Sequence, residues 1–320
     1  MNTVTIGGIS AAPGKKTKGF LDAGTTSVNT YRVPLAVING AEKGKTVGII
    51  GGTHGTEFAS IEAVIRAIKA LDPKKMRGTV LAVPVLNGPQ FEHKTMFLSP
   101  FDQMNLNRVF PGDKEGTLSQ RIAYTVYENV IKRCDALMDC HGGDVNEDIK
   151  GFVIAGKGDD EEVNRVALDM ARCFPTRFIN LFPDAPTGLT MCAQSRLGIP
   201  CITSEAGTPV PVREDEIEFH YNGIMNVLRY FGVIQGKPKL VEPVISSGSA
   251  RLRADEGGIW RPAVTTDQEV KAGDVLGVVT DLFGEVRQTV KAPRDGVVGM
   301  MRCFYSVNCG ELLVSITTLE

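Results

Sequence analysis

Short apolar runs alternate with segments of helical period between residues 46 and 234 of the chain. The apolar runs are rich in β-branched residues, which is typical of buried strands. Alternation of such strands with helices predicts an α/β layer fold around a mixed, largely parallel sheet. The predicted strands span residues 46–51, 79–86, 136–140, 152–155, 177–181 and 201–204.

Three of the segments between these strands carry a single apolar stripe. In the first, Phe58, Ile61, Ile65 and Ile68 recur at spacings of three and four, which is typical of a helix with one buried face. Similar stripes recur within residues 122–130 and 217–231. In sheets flanked by helices, ligands bind beyond the carboxyl ends of the strands. The residues that follow each predicted strand are therefore the first candidates for a functional site.

The pattern changes after Gly232, where the helical period ends and short strands separated by Gly, Pro and Ser follow. This change predicts one domain over residues 1–240 and a small all-β, barrel-sandwich-like domain over residues 241–320. The second domain resembles a lipoyl or biotinyl carrier domain. The hairpin between its two halves, at residues 280–285, has no lysine that could carry such a cofactor. We therefore expect this domain to have a structural or site-covering role.

The overall charge of the 320-residue chain is -2 at neutral pH. Without an excess of positive charge, we expect neither nucleic acid nor a membrane as a partner, but a small molecule. The seven cysteines follow neither a disulfide framework nor a paired zinc-binding pattern, so we expect reduced, mostly buried thiols. The chain shows no signal-peptide core and no membrane-spanning apolar run, which favours a cytoplasmic protein. A homo-oligomer is compatible with these properties.

His54 and Glu57 follow the first predicted strand, within the segment Gly-Gly-Thr-His-Gly-Thr-Glu. Glycines let a backbone approach an ion closely, and a spacing of three lets an imidazole and a carboxylate converge at a turn. His141 directly follows another predicted strand and precedes two glycines. These three residues are candidate ligands of a catalytic zinc ion with an open fourth position, although other divalent ions bind similar sets. Hydrogen bonding of each histidine to backbone groups is the alternative.

Two further segments carry groups suited to binding and proton transfer. Asn107 and Arg108 place an amide beside a planar guanidinium, a pair that can hold both oxygens of a carboxylate. Taken alone, an arginine in a loop is more often a surface charge. Glu205 follows a strand of small and β-branched residues, where apolar surroundings raise the pKa of a carboxyl group and favour a general base. A helix cap or an ion-paired acid is the alternative for Glu205.

In chain order these segments read Gly-Gly-x-His-Gly-x-Glu, Asn-Leu-Asn-Arg-x-Phe-Pro-Gly, Asp-x-His-Gly and Glu-Ala-Gly. They resemble the succinylglutamate desuccinylase/aspartoacylase family, deacylases with a zinc-carboxypeptidase-like fold, over roughly residues 45–235. The resemblance implies the following roles by position: one Zn²⁺ per chain held by His54, Glu57 and His141, a substrate carboxylate held by Asn107 and Arg108, and Glu205 as the catalytic base.

The chain departs from the family pattern at one position. Family members commonly carry an arginine shortly before the Asn-Arg motif, where it polarises the scissile carbonyl, but no arginine lies between Arg77 and Arg108. Loss of one oxyanion donor typically costs about 3–4 kcal/mol in an otherwise intact site. Lys94, His93 or Arg196 could substitute, and Arg196 is a candidate substrate-binding residue. Otherwise the metal and backbone groups hold the oxyanion, or activity is weak.

Together the motifs predict a zinc-dependent amidohydrolase that removes the acyl group of a small N-acyl amino acid or related N-acyl amine. Water activated by the metal would attack the acyl carbonyl, and Glu205 would pass the proton to the leaving amine. A metallocarboxypeptidase acting on peptide C-termini is an alternative with the same chemistry. A catalytically weak zinc-binding or metabolite-binding protein is an alternative of another class, motivated by the missing arginine.

Overall fold

The computed structural model describes residues 2–183, 188–208, 210–246 and 248–318. The strands in these ranges are β1 (Val4–Ile6), β2 (Ile9–Ala11), β3 (Lys15–Thr25), β4 (Thr30–Asn39), β5 (Glu42–Gly51), β6 (Arg77–Val83), β7 (Ala136–His141), β8 (Glu147–Lys157), β9 (Phe178–Pro183), β10 (Cys201–Gly207), β11 (Val244–Ser246), β12 (Ser249–Arg253), β13 (Gly258–Pro262), β14 (Glu269–Val270), β15 (Val275–Thr280), β16 (Val286–Lys291), β17 (Gly296–Arg302), β18 (Ser306–Val307) and β19 (Leu312–Thr317). The α-helices are α1 (Phe58–Ala70), α2 (Gly88–His93), α3 (Leu118–Asn129), α4 (Glu161–Arg172), α5 (Leu189–Leu197) and α6 (Glu214–Tyr230). Short 3₁₀ helices span Pro73–Lys75, Leu106–Arg108 and Ile131–Arg133. Within the described ranges, none of the helices is long and apolar enough to cross a membrane.

Most of the strands join one mixed sheet. At its centre β10, β7, β5 and β6 lie side by side, and each pairs in parallel with the next. Antiparallel strands continue the sheet on both sides, with β4 and β3 beyond β6 and with β8 beyond β10. The predicted mixed α/β fold is confirmed. Its parallel pairing is limited to the central strands and to β8, β9 and β11.

The six strands predicted between residues 46 and 204 are present as β5 to β10. The long antiparallel strands β3 and β4 were not predicted. In β3 five of the 11 residues are exposed, and only Leu21 and Ala23 are buried. Because the strand is mostly polar and lies at the edge of the sheet, it lacks the apolar run by which buried strands are recognised.

Two apolar layers cover the two faces of the main sheet. One layer includes the buried sides of α1, α4 and α6, together with Met138 and Cys140 of β7. The other includes α3 and α5, together with Leu137 of the same strand. Because side chains alternate between the faces of a strand, Leu137, Asp139 and His141 all point to the side of the sheet covered by α3 and α5.

The strands after residue 248 build a third apolar cluster, whose buried members lie between Ala254 and Ile316 and include Trp260. They also extend the main sheet, because β17 pairs antiparallel with β8 through Met300 and Ile149. Beyond β17 the sheet continues through β19 and β12. The division of the chain near residue 240 stays a prediction, and the described strands on its two sides are hydrogen-bonded to each other.

Candidate metal and catalytic site

The turn between β5 and α1 carries His54 and Glu57. Gly52 starts the turn with a φ of 63°, in the left-handed region that favours glycine. A Cβ at Gly55 would lie 2.1 Å from the backbone nitrogen of Phe91, so only glycine allows the turn to approach α2 this closely. The turn ends at Glu57, which is the N-cap of α1. These local constraints hold the imidazole and the carboxylate on one side of the turn.

His54, Glu57 and His141 converge beyond the carboxyl ends of β5 and β7. His54 Nδ1 lies 2.7 Å from Glu57 Oε1, and His141 Nδ1 lies 3.0 Å from Glu57 Oε2. All three side chains are buried, and one ligand atom from each lies within 4.8 Å of the others. The structure thus brings together the three residues that the sequence suggests as metal ligands.

Asp139 fixes the orientation of His141. Its Oδ2 lies 2.9 Å from His141 Nε2, and its Oδ1 accepts a hydrogen bond from Thr53 Oγ1 at 2.8 Å. All three side chains are buried. Because an ionised carboxylate can only accept, Asp139 takes a hydrogen bond from a proton on His141 Nε2, and Nδ1 of the same ring faces Glu57.

Asn105 orients His54 in the same way. Its Oδ1 lies 3.2 Å from His54 Nε2 and also accepts the backbone N–H of Asn107 at 2.9 Å. Since the N–H of Asn107 must donate, the atom of Asn105 that faces His54 is the oxygen. A proton on His54 Nε2 donates to Asn105 Oδ1, and Nδ1 of the same ring faces Glu57.

The protonation of this cluster is controlled by its opposite charges. Burial alone would raise the pKa of Glu57, but His141 and His54 lower it to about 2. Burial would lower the pKa of His141, but Asp139 and Glu57 raise it well above its ordinary value. The carboxylates therefore stabilise a positive charge at this point, which is also the requirement for binding a metal cation.

Glu205 lies beside His141 on the neighbouring strand. The two residues are paired in the parallel register of β10 and β7, so their side chains leave the same face of the sheet. Burial raises the pKa of Glu205 well above its ordinary value; His141 opposes this shift, and the Glu57 and Glu147 carboxylates add to it. A carboxyl group with a raised pKa beside the ligand cluster is suited to accept and return a proton.

Asn107 and Arg108 lie on the 3₁₀ helix that follows Asn105. Asn107 Oδ1 accepts the backbone N–H of Leu189 at 2.8 Å and so joins this segment to the start of α5. Arg108 is exposed, and its Nη1 donates to the carbonyl oxygen of Asn107 at 3.1 Å. Among the described residues, Arg108 has no carboxylate partner. Its guanidinium is therefore available to an anionic ligand near Asn105.

Comparison with known proteins identifies the family of the chain. The sequence model of the succinylglutamate desuccinylase/aspartoacylase catalytic domain matches residues 43–231. The chain belongs to the succinylglutamate desuccinylase/aspartoacylase family. The matched range includes every candidate site residue that the sequence motifs indicate.

Individual relatives agree with this assignment. The N-alpha-acetyl-L-2,4-diaminobutyric acid deacetylase of Halomonas elongata is 29% identical over 292 residues, which cover 89% of this chain and 85% of the relative. The structure of a succinylglutamate desuccinylase/aspartoacylase from Rhodobacter sphaeroides matches with a TM-score of 0.87 and 25% identity, over 95% of this chain and 96% of that one. The product-bound ectoine utilization protein EutE (DoeB) of Ruegeria pomeroyi matches with a TM-score of 0.86 and 22% identity, over 95% and 94% of the two chains. The predicted family, fold and enzyme class are thereby confirmed: the chain is a hydrolase of the acyl-amino-acid deacylase type.

The structure does not bring Arg196 into the family's site. Arg196 is exposed in the last turn of α5 and lines a separate cavity of about 440 Å³ together with Asp159 and Asp160. None of the described residues lining that cavity belongs to the metal-ligand cluster. The start of α5 contacts Asn107 through Leu189, and Arg196 follows about 10 Å further along the helix axis. A substrate-binding role for Arg196 stays a prediction that this geometry does not support.

The segment in which family members commonly carry an arginine places an aromatic ring against His54 instead. Phe97 packs edge-on against His54, with ring centroids 5.6 Å apart. The backbone N–H of Phe97 donates to Oδ2 of the buried Asp144 at 2.7 Å, which holds the segment in place. Lys94 is exposed at the end of α2, and its Nζ donates to the carbonyl oxygen of Glu92. The structure therefore provides no support for Lys94 as a replacement for the arginine.

The two remaining histidines lie outside the cluster. His220 is buried on α6, where its Nδ1 lies 2.9 Å from Ser204 Oγ and its Nε2 donates to the carbonyl oxygen of Ala206 at 3.0 Å. It is a buried, hydrogen-bonded packing residue. His93 is exposed and packs edge-on against Phe101, so it does not replace the missing arginine either.

Sequence reasoning missed Asp139 and Asn105 as the residues that orient the two imidazoles. Asp139 lies two residues before His141, so both side chains occupy one face of the same strand, and this spacing was a usable signal. Asn105 lies 51 positions from His54 in the chain, so its contact depends on the tertiary fold. Its position two residues before Asn107 was the only local signal.

Proposed function

We propose that the chain is a zinc-dependent deacylase that removes the acyl group from a small N-acyl amino acid. The observation that carries this proposal is the direction of the two imidazoles. Their Nδ1 atoms lie 2.7 and 3.0 Å from the two oxygens of Glu57, while Asn105 and Asp139 hold their Nε2 protons. A cation bound among these three groups would take the place of the protons between the imidazoles and Glu57.

The atoms of the cluster fit zinc. Glu57 Oε2 is buried and receives no hydrogen bond from the described residues, although His141 Nδ1 is only 3.0 Å away. A buried carboxylate oxygen without a hydrogen-bond partner is unusual and calls for another partner, such as a metal ion. Two imidazoles and one carboxylate form a common ligand set of catalytic zinc, and two ligands of a tetrahedral zinc ion lie about 3.3 Å apart. We propose one zinc ion per chain at this site.

Glu205 is the proton carrier of the proposed reaction. A bound zinc ion lowers the pKa of a coordinated water toward about 7 and polarises a carbonyl oxygen. Glu205, which lies next to His141, takes the proton of the attacking water and delivers it to the amine nitrogen as the C–N bond breaks. The direction of its pKa shift supports this role, because burial makes the carboxylate a stronger base toward the attacking water.

Asn107 and Arg108 hold the carboxylate of the substrate in this proposal. Asn107 Oδ1 is engaged with Leu189, which directs its amide Nδ2 donor elsewhere. The guanidinium of Arg108 supplies the charge, and together the two side chains offer donors for both carboxylate oxygens. A carboxylate fixed in this way orients the neighbouring amide toward the cluster, because both residues follow Asn105, which touches His54.

The first substrate to test is suggested by a relative. The deacetylase of Halomonas elongata is named for N-alpha-acetyl-L-2,4-diaminobutyric acid. We propose that this chain acts on the same class of compound, an acylated amino acid, with the acetyl group as the first acyl group to try.

A substrate panel tests this proposal. Zinc-loaded protein is assayed for amine release from N-acetyl and N-succinyl amino acids, beside blocked dipeptides with free C-termini. Release from the acyl amino acids alone is expected. Release from the dipeptides alone would replace the deacylase with a carboxypeptidase, and no release from any compound by the zinc-replete protein would contradict the proposal.

A further inference from the structure

A cavity of about 230 Å³ opens beside Glu205. Residues of β8, β9 and β10 form one side of it, and residues of β12, β17 and β19, after residue 248, form the other. Glu205 pairs with Phe152 across β10 and β8, so the cavity continues the face of the sheet that carries Glu205 and His141. The cavity is therefore next to the proposed proton carrier and is closed by the C-terminal strands.

Asn180, a residue in the wall of the cavity, has a side-chain oxygen without a partner. Asn180 of β9 is only 8% exposed and lines the cavity. Its Oδ1 has no hydrogen-bond partner among the described residues. Leaving a buried amide oxygen unpaired is costly, so this atom indicates a ligand that donates a hydrogen bond.

The charges around Asn180 specify the kind of donor. Glu147 and Glu205 line the same cavity. Burial raises the pKa of Glu147 to about 7, and the nearby carboxylates of Glu57 and Asp144 contribute to this shift. A cation placed among these groups would relieve the repulsion among them. Arg251 also lines the cavity, but it is exposed and pairs with no carboxylate in the part of the chain that the structure describes.

We propose that this cavity binds a side-chain ammonium group on the amine half of the substrate, with Glu147 and Asn180 as its acceptors. This inference rests on the proposed function, because Glu205 can protonate the departing amine only if that half of the substrate lies next to it. The side chain of that half then enters the adjoining cavity. The enzyme accordingly prefers N-acyl diamino acids to N-acyl derivatives of neutral or acidic amino acids.

Two substrates of matched shape test the preference. Nα-acetyl-L-2,4-diaminobutyrate and N-acetyl-L-norvaline differ by an ammonium group in place of a terminal methyl group. For the zinc-loaded enzyme, kcat/KM is expected to be at least tenfold higher for the diamino compound. Glu147→Gln and Asn180→Leu should each reduce this ratio at least fivefold, chiefly through KM for the diamino compound. Glu256→Gln, at an exposed position outside the cavity, should leave the ratio unchanged.

Two results would overturn the inference. An unchanged ratio in both Glu147→Gln and Asn180→Leu would show that the cavity does not recognise the ammonium group. An equal loss of kcat for both substrates in Glu147→Gln would show that Glu147 acts through the protonation of Glu205 and not through substrate binding.

A binding measurement separates the failure of this inference from the failure of the proposed function. Calorimetric titration of the zinc-loaded protein with L-2,4-diaminobutyrate and with L-norvaline requires no turnover. Tighter binding of the diamino acid that is lost in Glu147→Gln supports the cavity, even if no acyl compound is hydrolysed. Equal affinity for the two amino acids overturns the inference, even if the enzyme proves to be a deacylase.

Discussion

Individual side chains outside the ligand set determine which ring nitrogen of each histidine is available to a metal. Asp139 and Asn105 accept the Nε2 protons of His141 and His54, and both Nδ1 atoms then point to Glu57. A change in either acceptor would free its imidazole to rotate or to move its proton. The geometry of the cluster therefore depends on residues that are not themselves candidate ligands.

Removing the acceptor of His141 should weaken metal binding. In Asp139→Ala the Nε2 proton of His141 loses its buried partner, and we expect zinc affinity to fall by about 10- to 100-fold. Competition with a chelating dye measures the affinity. Asp135→Ala, at an exposed position just before β7, is the control and should bind zinc as the wild type does. Equal affinities for wild type and Asp139→Ala would contradict the role of Asp139.

A second prediction concerns the buried His220: it should make the free energy of unfolding depend on pH. Burial lowers its pKa to about 4, against an ordinary value near 6.5, so between these values the unfolded chain binds the proton and the folded chain does not. The contribution of neutral His220 to the free energy of unfolding is therefore present above about pH 6.5 and is lost as the pH falls toward 4. From pH 7.5 to pH 5 the loss is about 2 kcal/mol.

Urea unfolding at both pH values measures this contribution. The cost of His220→Gln in unfolding free energy should be about 2 kcal/mol smaller at pH 5 than at pH 7.5. A cost that is the same at both pH values would show that His220 does not titrate in this way.

The convergence of His54, Glu57 and His141 could be predicted from sequence because each lies at or just after a strand end in a short motif with glycines. Glu205 could be predicted for the same reason, since an apolar strand precedes it. The contact of Asn105 with His54 and the exposed position of Arg196 at the end of α5 could not be predicted. Both depend on how distant segments pack, and spacing along the chain carries no information about that.

At the scale of elements, the turn between β5 and α1 is held by its packing against α2. Gly55 lies so close to the first residues of α2 that a Cβ would meet the nitrogen of Phe91 at 2.1 Å and its Cα at 2.7 Å. Both contacts are with backbone atoms, which cannot rotate away as a side chain can. The ligand pair His54 and Glu57 therefore depends on the position of a helix that carries neither residue.

This packing predicts different effects for two Gly→Ala substitutions. Gly55→Ala should lower the free energy of unfolding by about 1–3 kcal/mol, because the turn must move away from α2. The same movement should weaken zinc binding. Gly88→Ala is the matched control at the start of α2, where the nearest atom to a new Cβ is a Tyr31 ring carbon at 3.8 Å. It should not destabilise the protein. Equal stability of the two variants in urea unfolding would contradict the close packing of the turn.

The helices α1, α3 and α6 could be predicted because each carries a regular apolar stripe that packs on the sheet. β3 could not, since its polar residues face solvent and its pairing with β4 is long-range. The length of β8 was also underestimated, because it begins at Glu147 with polar residues that precede its apolar run.

For the molecule as a whole, the cluster links the turn after β5 to the end of β7. A ligand that binds the folded chain and not the unfolded chain raises stability by an amount that grows with its concentration relative to Kd. At 1,000 times Kd the gain is about 4 kcal/mol. Zinc should therefore act as a crosslink between two neighbouring central strands.

Metal removal tests this coupling. The thermal unfolding midpoint of the zinc-loaded protein should exceed that of the chelator-treated protein, and His54→Ala should abolish most of the difference. Scanning calorimetry at fixed protein concentration measures the midpoints. If zinc raised the midpoint equally in wild type and His54→Ala, the stabilising ion would have to bind elsewhere.

The continuation of the main sheet into β17 could not be predicted from sequence. A composition change near residue 240 indicates where one pattern ends, but the pairing of Met300 with Ile149 joins residues far apart in the chain. The cavity beside Glu205 follows from this pairing, because its walls come from both sides of the change. A site-covering role for the C-terminal strands was expected, and the cavity is consistent with it. The oligomeric state stays a prediction.

The central claim is that zinc and Glu205 together hydrolyse the acyl amide. It is tested most directly by acetate release from Nα-acetyl-L-2,4-diaminobutyrate, with zinc content measured in the same samples. We expect Glu205→Gln to reduce the rate by about 10²- to 10⁴-fold while it retains one zinc per chain, and the exposed-site control Glu218→Gln to match the wild type. An undiminished rate in zinc-replete Glu205→Gln would contradict the account.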